Sequence, residues 1–594
     1  MGLFQKAIET YDVMHDFVGI KDAEHSEILA PIGYMTTTAK IEITIDNEGN
    51  FVRANKIDEK IAIPCTESSA GRSSGFAAHP LCDNLGYVTE FYEEKHALYL
   101  KEINAWSESR YGNSKLQAIC KYLDKGNVFI DCQKAGLLTI ETREDKNKNL
   151  IENIKEEKDI VTWRVEGLGK DSGAVHEDSK LMESYSEFYL ASRKKNEGIC
   201  MVSGDRQKLA MQHLKGVSNF SGNAKLVSSN DNTNYTYKGR FINCDEAMTM
   251  GYVSSQKAHN ALKWLLSNFG VSIGTRRMVC WSPQGYKVPS YSIPLLAALD
   301  TKIEPSDYKR QLENAVRGYK CNLPDNSSVV IAAFEAATSG RLSVTYYNEL
   351  RGSDFLERLY YWDSTCCWYD NRWGVRSPSL FKIINYAFGT ERSSGKVECD
   401  DRVLSQQLQR VIECRLNKNK FPKDIMRNLV IKASNLVFYS SNTADNILFV
   451  ACAVIKKCRF DHFKEEWKMA VDESVTDRSY LFGRLLAVLE KIEKDTYRNG
   501  EDRETNAIRA QAFYKQRPFT AFSQIMTSLK TGYYPKLSTG TKNYYEKLVG
   551  NIMEKISLTE EDMNKPLSET YLLGYYLQKN ALYTKKENIG VEED

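Results

Sequence analysis

Ile41-Glu42-Ile43-Thr44-Ile45-Asp46-Asn47-Glu48-Gly49-Asn50-Phe51-Val52 decides the class of the N-terminal fold. Its isoleucines alternate with polar residues at the period of two that a half-buried strand requires. Asn47 to Asn50 is turn chemistry, and the chain resumes apolar at Phe51 and Val52, so the segment reads as a β-hairpin. Upstream, Met1 to Thr10 carries Lys6 and Glu9 in an amphipathic pattern and reads as a first helix; its apolar run is too short for a signal peptide.

Downstream, Val329 to Phe334, the turn Thr338-Ser339-Gly340-Arg341 and the alternating Leu342, Val344 and Tyr346 give a second hairpin. Between the hairpins, Ala247 to Phe269 carries Ala258, Leu262 and Leu265 on one helical stripe. Arg143 to Asp159 and Gly389 to Asp401 are charged, poor in apolar anchors, and read as surface insertions or linkers. Beyond residue 400 the period becomes helical throughout. Leu404, Leu408, Val411 and Leu416 form one stripe; Leu481, Leu485, Leu489 and Ile492 form another; Tyr545, Leu548, Ile552, Met553 and Ile556 form a third. Leu572, Tyr575 and Tyr576 begin a last one, and Pro518 stands where a helix starts, ahead of Phe522, Ile525 and Leu529. Such stripes pack as a bundle. The expected architecture is an α+β N-terminal portion with antiparallel strands and hairpins, about 1–390 and divisible near 160–200, followed by an all-α helical bundle, about 400–594. The aromatic stretch Tyr360 to Trp373 reads as core or interface, with base stacking as the alternative.

The 594 residues hold 80 basic and 78 acidic side chains, a net charge of +2, which is low for a freely diffusing DNA binder but compatible with nucleic-acid contact at restricted patches, so charge alone neither supports nor excludes such contact. With 42% hydrophobic residues and no run of eighteen, no membrane span is expected. The 14 cysteines include no CxxC pair and read as reduced core residues, with neither a metal nor a cofactor implied. There is no GxxxxGK[ST], HExxH or GxSxG. His15-Asp16 has the letters of a metal-dependent phosphohydrolase motif, but that chemistry needs an earlier histidine and His15 is the first. The other histidines are scattered singly. The chain therefore reads as non-enzymatic, against two alternatives: a cryptic metal-dependent nuclease built from Asp and Glu, and a purely structural scaffold.

Two loops carry the chemistry of phosphate and base contact. Thr66 to Phe76, followed by Pro80 to Asn84, is small, polar and bracketed by glycines around the single Arg72. Backbone N–H groups in such a loop can approach phosphates, while Ser, Arg and Asn reach base edges. Lys215 to Lys225 combines two lysines, two glycines and several amide or hydroxyl side chains around Phe220. By residue chemistry alone each reads equally as a glycine-rich surface turn.

With their flanks, these loops resemble the large subunit of the type I-C CRISPR Cascade complex. The matching segments run in order: Ser74-Gly75-Phe76 through Asp83-Asn84-Leu85-Gly86-Tyr87, Cys200-Met201-Val202-Ser203-Gly204-Asp205, Lys215-Gly216-Val217 and Ala224 to Asn230. Ser479 to Glu490 is the most specific, and Tyr571-Leu572-Leu573-Gly574-Tyr575-Tyr576 closes the pattern. Two stretches depart from it: Ala78-His79-Pro80-Leu81-Cys82, and the displaced Asn219-Phe220-Ser221-Gly222-Asn223.

The resemblance implies a non-catalytic, cytoplasmic prokaryotic subunit that recognises the protospacer-adjacent motif in duplex DNA, helps form the R-loop, and supports recruitment of a separate helicase-nuclease. It implies as partners a guide RNA, double-stranded target DNA, repeated backbone subunits and the subunit holding the guide's 5′ handle. It also implies small helical subunits made from the same gene, starting here at about Met469 and spanning 469–594. Motif-reading contacts are expected from Arg72, Ser73, Ser74, Gly75, Asn84, Lys215, Asn219, Ser221, Gly222, Asn223 and Lys225. Arg484, Lys491, Arg509, Lys515 and Arg517 on the bundle are expected to guide DNA strands, the alternative being a solvated helix face.

Overall fold

The computed structural model describes residues 2–583 except 73–74, 145–149, 194–195, 219–221, 229–247, 339, 371, 499–500, 502 and 560–561. The chain divides into two compact units, one of residues 1–286 with 328–349, the other of 287–327 with 350–594.

In the first unit the opening hairpin forms from Tyr34–Asp46 and Phe51–Pro64, antiparallel from Tyr34 opposite Pro64 to Ile45 opposite Phe51. Ile41, Ile43 and Ile45 are at most 1% exposed, as their alternation requires. Gly49 closes the turn at φ +73°, and a Cβ there would lie 2.8 Å from the Ala118 carbonyl oxygen, so both the conformation and the close approach of helix Ser114–Leu123 demand glycine. The first strand also pairs in parallel with Ile160–Glu166, through a crossover that contains the helices between Leu85 and Lys134. This sheet is therefore mixed rather than purely antiparallel.

The second hairpin, Ser328–Thr338 with Arg341–Arg351, joins Arg276–Trp281 and Val271–Ile273 in a four-stranded sheet. Helices Leu3–Val13 and Tyr252–Phe269 supply Ala7, Tyr11, Ala258, Leu262 and Leu265 to a shared core with Val279, Val330 and Phe334. The segment 143–159, expected as a surface insertion or linker, contributes to a hairpin of Ile140–Glu144 and Leu150–Ile154, anchored where Ile154 is buried and its N–H donates to the Tyr92 hydroxyl.

The second unit begins with helices Pro305–Asn322 and Gly352–Thr365 and a two-stranded ladder, Trp368–Asp370 with Gly374–Arg376. The other expected insertion or linker, 389–401, holds a short ladder of Thr390–Glu391 with Val397–Glu398. From Asp401 onward every regular element among the described residues is helical. Pro518 opens its helix at the first position, where its missing N–H costs nothing. Helix Arg478–Lys494 buries 15 of its 17 residues and lies at the centre of the helical packing. It meets Thr570–Tyr583 backbone to backbone: a Cβ on Gly483 would lie 1.8 Å from the Tyr571 carbonyl oxygen, and one on Gly574 would lie 2.0 Å from that of Tyr480. No helix among the described residues is long and apolar enough to cross a membrane.

Candidate nucleic-acid interface

The first loop is built around a buried carboxylate. Thr66 caps the short helix Glu67–Gly71 by accepting from the Ser69 N–H, and the Ser69 hydroxyl accepts from the Thr66 N–H in return. The chain then leaves as Arg72, whose guanidinium donates to both oxygens of Asp83 at 2.5 and 3.0 Å and to the Ala77 carbonyl at 2.8 Å. Its plane lies 4.5 Å from the centre of the Tyr87 ring. Asp83, at 0% exposure, also accepts from the His79 and Asn84 N–H groups. Arg72 and Asp83 thus join in a bidentate ion pair at the neck of the loop. Leu81 holds φ +69°, a left-handed conformation secured by the Tyr99 hydroxyl and the Trp163 indole, which both donate to its carbonyl.

At the outer end of this loop Gly75 is at φ +92° with open space around it, and Phe76 is 54% exposed. Ser73 and Ser74 lie outside the described residues. Asn84 is half-buried and bridges to Ile160, the first residue of strand Ile160–Glu166.

The second loop is pinched by an antiparallel bridge between Lys215 and Lys225, with the Gly216 N–H donating to Ala224. Gly216 and Gly222 both adopt positive φ, and Gly222 and Asn223 are exposed; Asn219 and Ser221 lie outside the described residues. Lys225 exchanges backbone bonds with Gly340 and Leu342, fastening the loop to the turn of the second hairpin.

The two loops, about 140 residues apart in sequence, meet. The Lys215 ammonium donates to the Arg72 carbonyl at 2.9 Å. Beside it, Glu67 gathers three groups: the Met211 and Gln212 N–H groups and the Arg193 guanidinium, the last at 2.8 Å. Arg193 in turn lies 4.0 Å from the Tyr252 ring centre. Burial holds the Lys215 ammonium below its usual range, with Lys225 and Arg72 adding to the effect. Burial lowers Lys225 likewise, Glu67 opposing. His79 is pushed down to about 4 by burial, with Asp83 partly opposing, and stays neutral near pH 7. The result is a half-buried pair of lysines flanked by glycine backbone, suited to a phosphate or a base-edge acceptor.

Sequence reasoning selected Arg72 but not its partner. Asp83, Glu67, Arg193 and His79 carry the junction, and all but Arg193 stand inside or beside the quoted motifs. A lone arginine in a small polar loop, eleven residues before an aspartate, was the available signal.

On the bundle, Arg484 is 1% exposed: its Nε donates to Gln578 at 2.9 Å and its two terminal nitrogens grip Glu473, so its guanidinium is engaged within the helix packing. Lys491 pairs with Asp495 and lies 4.5 Å from the Tyr583 ring centre. Lys515 is half-buried and lowered by burial, and it lines a cavity of about 370 Å³ together with Lys423, Arg427 and Arg459. Arg509 and Arg517 are exposed. Among the described residues, no three of His, Cys, Asp and Glu come together as metal ligands.

The curated proteins contain no match to this chain. Residues 15–583 match the family model described as CRISPR-associated protein (Cas_Csd1), and the chain therefore belongs to that family, the large subunit of type I-C CRISPR systems.

Proposed function

We propose that this type I-C Cascade subunit reads the protospacer-adjacent motif of duplex DNA with its two joined loops, without itself cutting. The observation that carries the reading is the junction between them: Lys215 on one loop bonded to the backbone of Arg72 on the other, with Lys225 alongside. Half-burial of two like charges is unfavourable until an anion arrives, and a DNA phosphate is that anion. Exposed Gly222 and Asn223 supply backbone and amide groups within the same loop for base edges. Arg72 acts differently from the sequence expectation. Its guanidinium is engaged by Asp83, so it positions the loop rather than contacting DNA.

Once the motif is gripped, the guide RNA pairs with the opened strand and a separate helicase-nuclease is recruited. The helices from Arg478 onward also serve as a separate small subunit. Met469 falls in the connection between helices Ser441–Phe463 and Arg478–Lys494, so a start there keeps every later helix whole. Silent disruption of that start and its upstream ribosome site should remove a small co-purifying helical protein; its unchanged persistence would refute the assignment.

The deciding experiment for motif reading is binding of the assembled, guide-loaded complex to duplexes with randomised flanking bases. Replacing Lys215 and Lys225 together by Ala should weaken and flatten the preference. An unaltered preference would sink the reading. Incubating the same complex with magnesium or manganese and target DNA, in the absence of a partner nuclease, should leave the DNA intact; cleavage would overturn the non-catalytic role.

A further inference from the structure

The aromatic stretch of the second unit divides in an informative way. Trp362 and Trp368 are at most 1% exposed, whereas Trp373 is 50% exposed. The backbone of Trp373 is nonetheless held firmly. Its carbonyl accepts from Ile303, the following Gly374 takes φ +73°, and a Cβ on Gly374 would lie 2.1 Å from the Ile303 carbonyl oxygen. A large indole is thus presented to solvent from a rigid mount.

Trp373 stands at a cavity of about 500 Å³, within the range of small-ligand sites. Five cations line it: Arg372, Arg376, Lys382, Lys494 and Lys579. Among the described residues two carboxylates do, Asp370 and Asp445, while Glu490 engages both Lys579 and Lys494 from outside the lining. Arg376 gives one terminal nitrogen to Asp370 at 2.8 Å, but its buried Nε has no hydrogen-bond partner among the described residues. Lys382 bonds to a neutral group, the Asn446 side-chain oxygen at 2.7 Å, and rests 5.6 Å from the Phe449 ring centre. Burial, with Arg376 nearby and Asp370 partly opposing, pushes the Lys382 ammonium down to about 8. Unbalanced positive charge and an exposed ring in one cavity match the two halves of a nucleotide.

We propose that this cavity is a nucleotide site, in which Lys382 and Arg376 hold a phosphate and an unpaired base stacks on Trp373. It is separate from the loops of the first unit and does not depend on their reading of duplex DNA. The same chemistry belongs to one residue of an unpaired strand and to a free nucleotide.

The full chain should be titrated with a labelled ten-residue oligothymidylate and, separately, with thymidine monophosphate, following tryptophan fluorescence and anisotropy. At least one probe should quench a signal that disappears in Trp373→Phe. Trp373→Ala and Lys382→Gln should each weaken that probe roughly tenfold, the scale of one stacked base. Binding of the monophosphate at comparable strength assigns a free nucleotide; binding of the oligonucleotide alone assigns a strand.

A phosphate favours the charged ammonium, so affinity should hold below about pH 8 and fall above it, and Lys382→Arg should remove that fall. Folded Trp373→Ala and Lys382→Gln should both keep the duplex-motif preference of the assembled complex, which Lys215 and Lys225 govern. Unchanged affinity for both probes in folded Trp373→Ala and Lys382→Gln would overturn the proposal, whatever the outcome for the duplex motif.

Discussion

The joined loops of the first unit and the joined helices of the second carry the same kind of family signature, yet use it in opposite ways. In the helices, the motif residues Gly483 and Gly574 let two backbones touch, and even the charged Arg484 is enclosed. In the loops, the motif residue Asp83 closes a neck with Arg72, while the motif residue Lys215 stays half-buried beside the exposed Gly222 and Asn223. A resemblance therefore marks what the fold cannot do without. Only burial separates residues needed for packing from residues free to meet a ligand.

The comparison breaks most sharply at Gly483. Gly483→Ala forces a methyl into the Tyr571 carbonyl, and with backbone on both sides there is no flexible side chain to yield. The expected loss is about 3 kcal/mol or more, read as a lowered urea midpoint of the second unit; an unchanged midpoint would mean the helices are not in such contact. Next is Arg72→Ala, which strands a fully buried carboxylate. That costs on the order of 3 kcal/mol, and Arg72→Ala combined with Asp83→Ala should recover part of it. If Arg72→Ala weakens motif binding while the melting temperature stays fixed, Arg72 contacts DNA directly after all. Arg484→Ala follows, at about 2 kcal/mol, with DNA affinity unaltered for the folded fraction.

Much of this division could be read in the chain, and the unread part has a physical pattern. Both long hairpins and the late helices follow from periodicity, because one buried face repeats along each element. The parallel pairing of Tyr34–Asp46 with Ile160–Glu166 did not show, since a crossover leaves no local mark. The hairpin inside 140–154 was hidden because its strands are mostly solvated and anchored at one end. The same limit applies to the sites. Arg72, Lys215 and Lys225 were chosen by type and company, and the structure brings them together. Arg484 was chosen on the same grounds and lies inside, since a helical arginine has one spelling whether its neighbour is water or Gln578.

A smaller effect sharpens the loop side. Changing Lys215 and Lys225 to Ala removes two half-buried cations and one bond to a carbonyl, so stability should move little. Affinity of the assembled complex for motif-bearing duplex should fall roughly tenfold at low salt, and the slope of log affinity against log salt should shrink by about 2, one unit per lost phosphate contact. A tenfold loss with an unchanged slope would mean that the lysines shape the loop without touching phosphate.

The smallest expected effect concerns Arg509 and Arg517, the exposed members of the set assigned to the bundle. Replacing both by Ala should leave the melting temperature unchanged, since neither side chain is enclosed by the helix packing. If displaced or target strand passes over this face, the double change should lower affinity for a pre-opened duplex by a few-fold, vanishing as salt is raised. Affinity for a fully paired duplex carrying only the motif should not move, because that probe reaches the loops and not an open strand. Equal loss on both probes would assign these arginines to duplex binding, and the loops would then no longer be the sole point at which the subunit meets paired DNA.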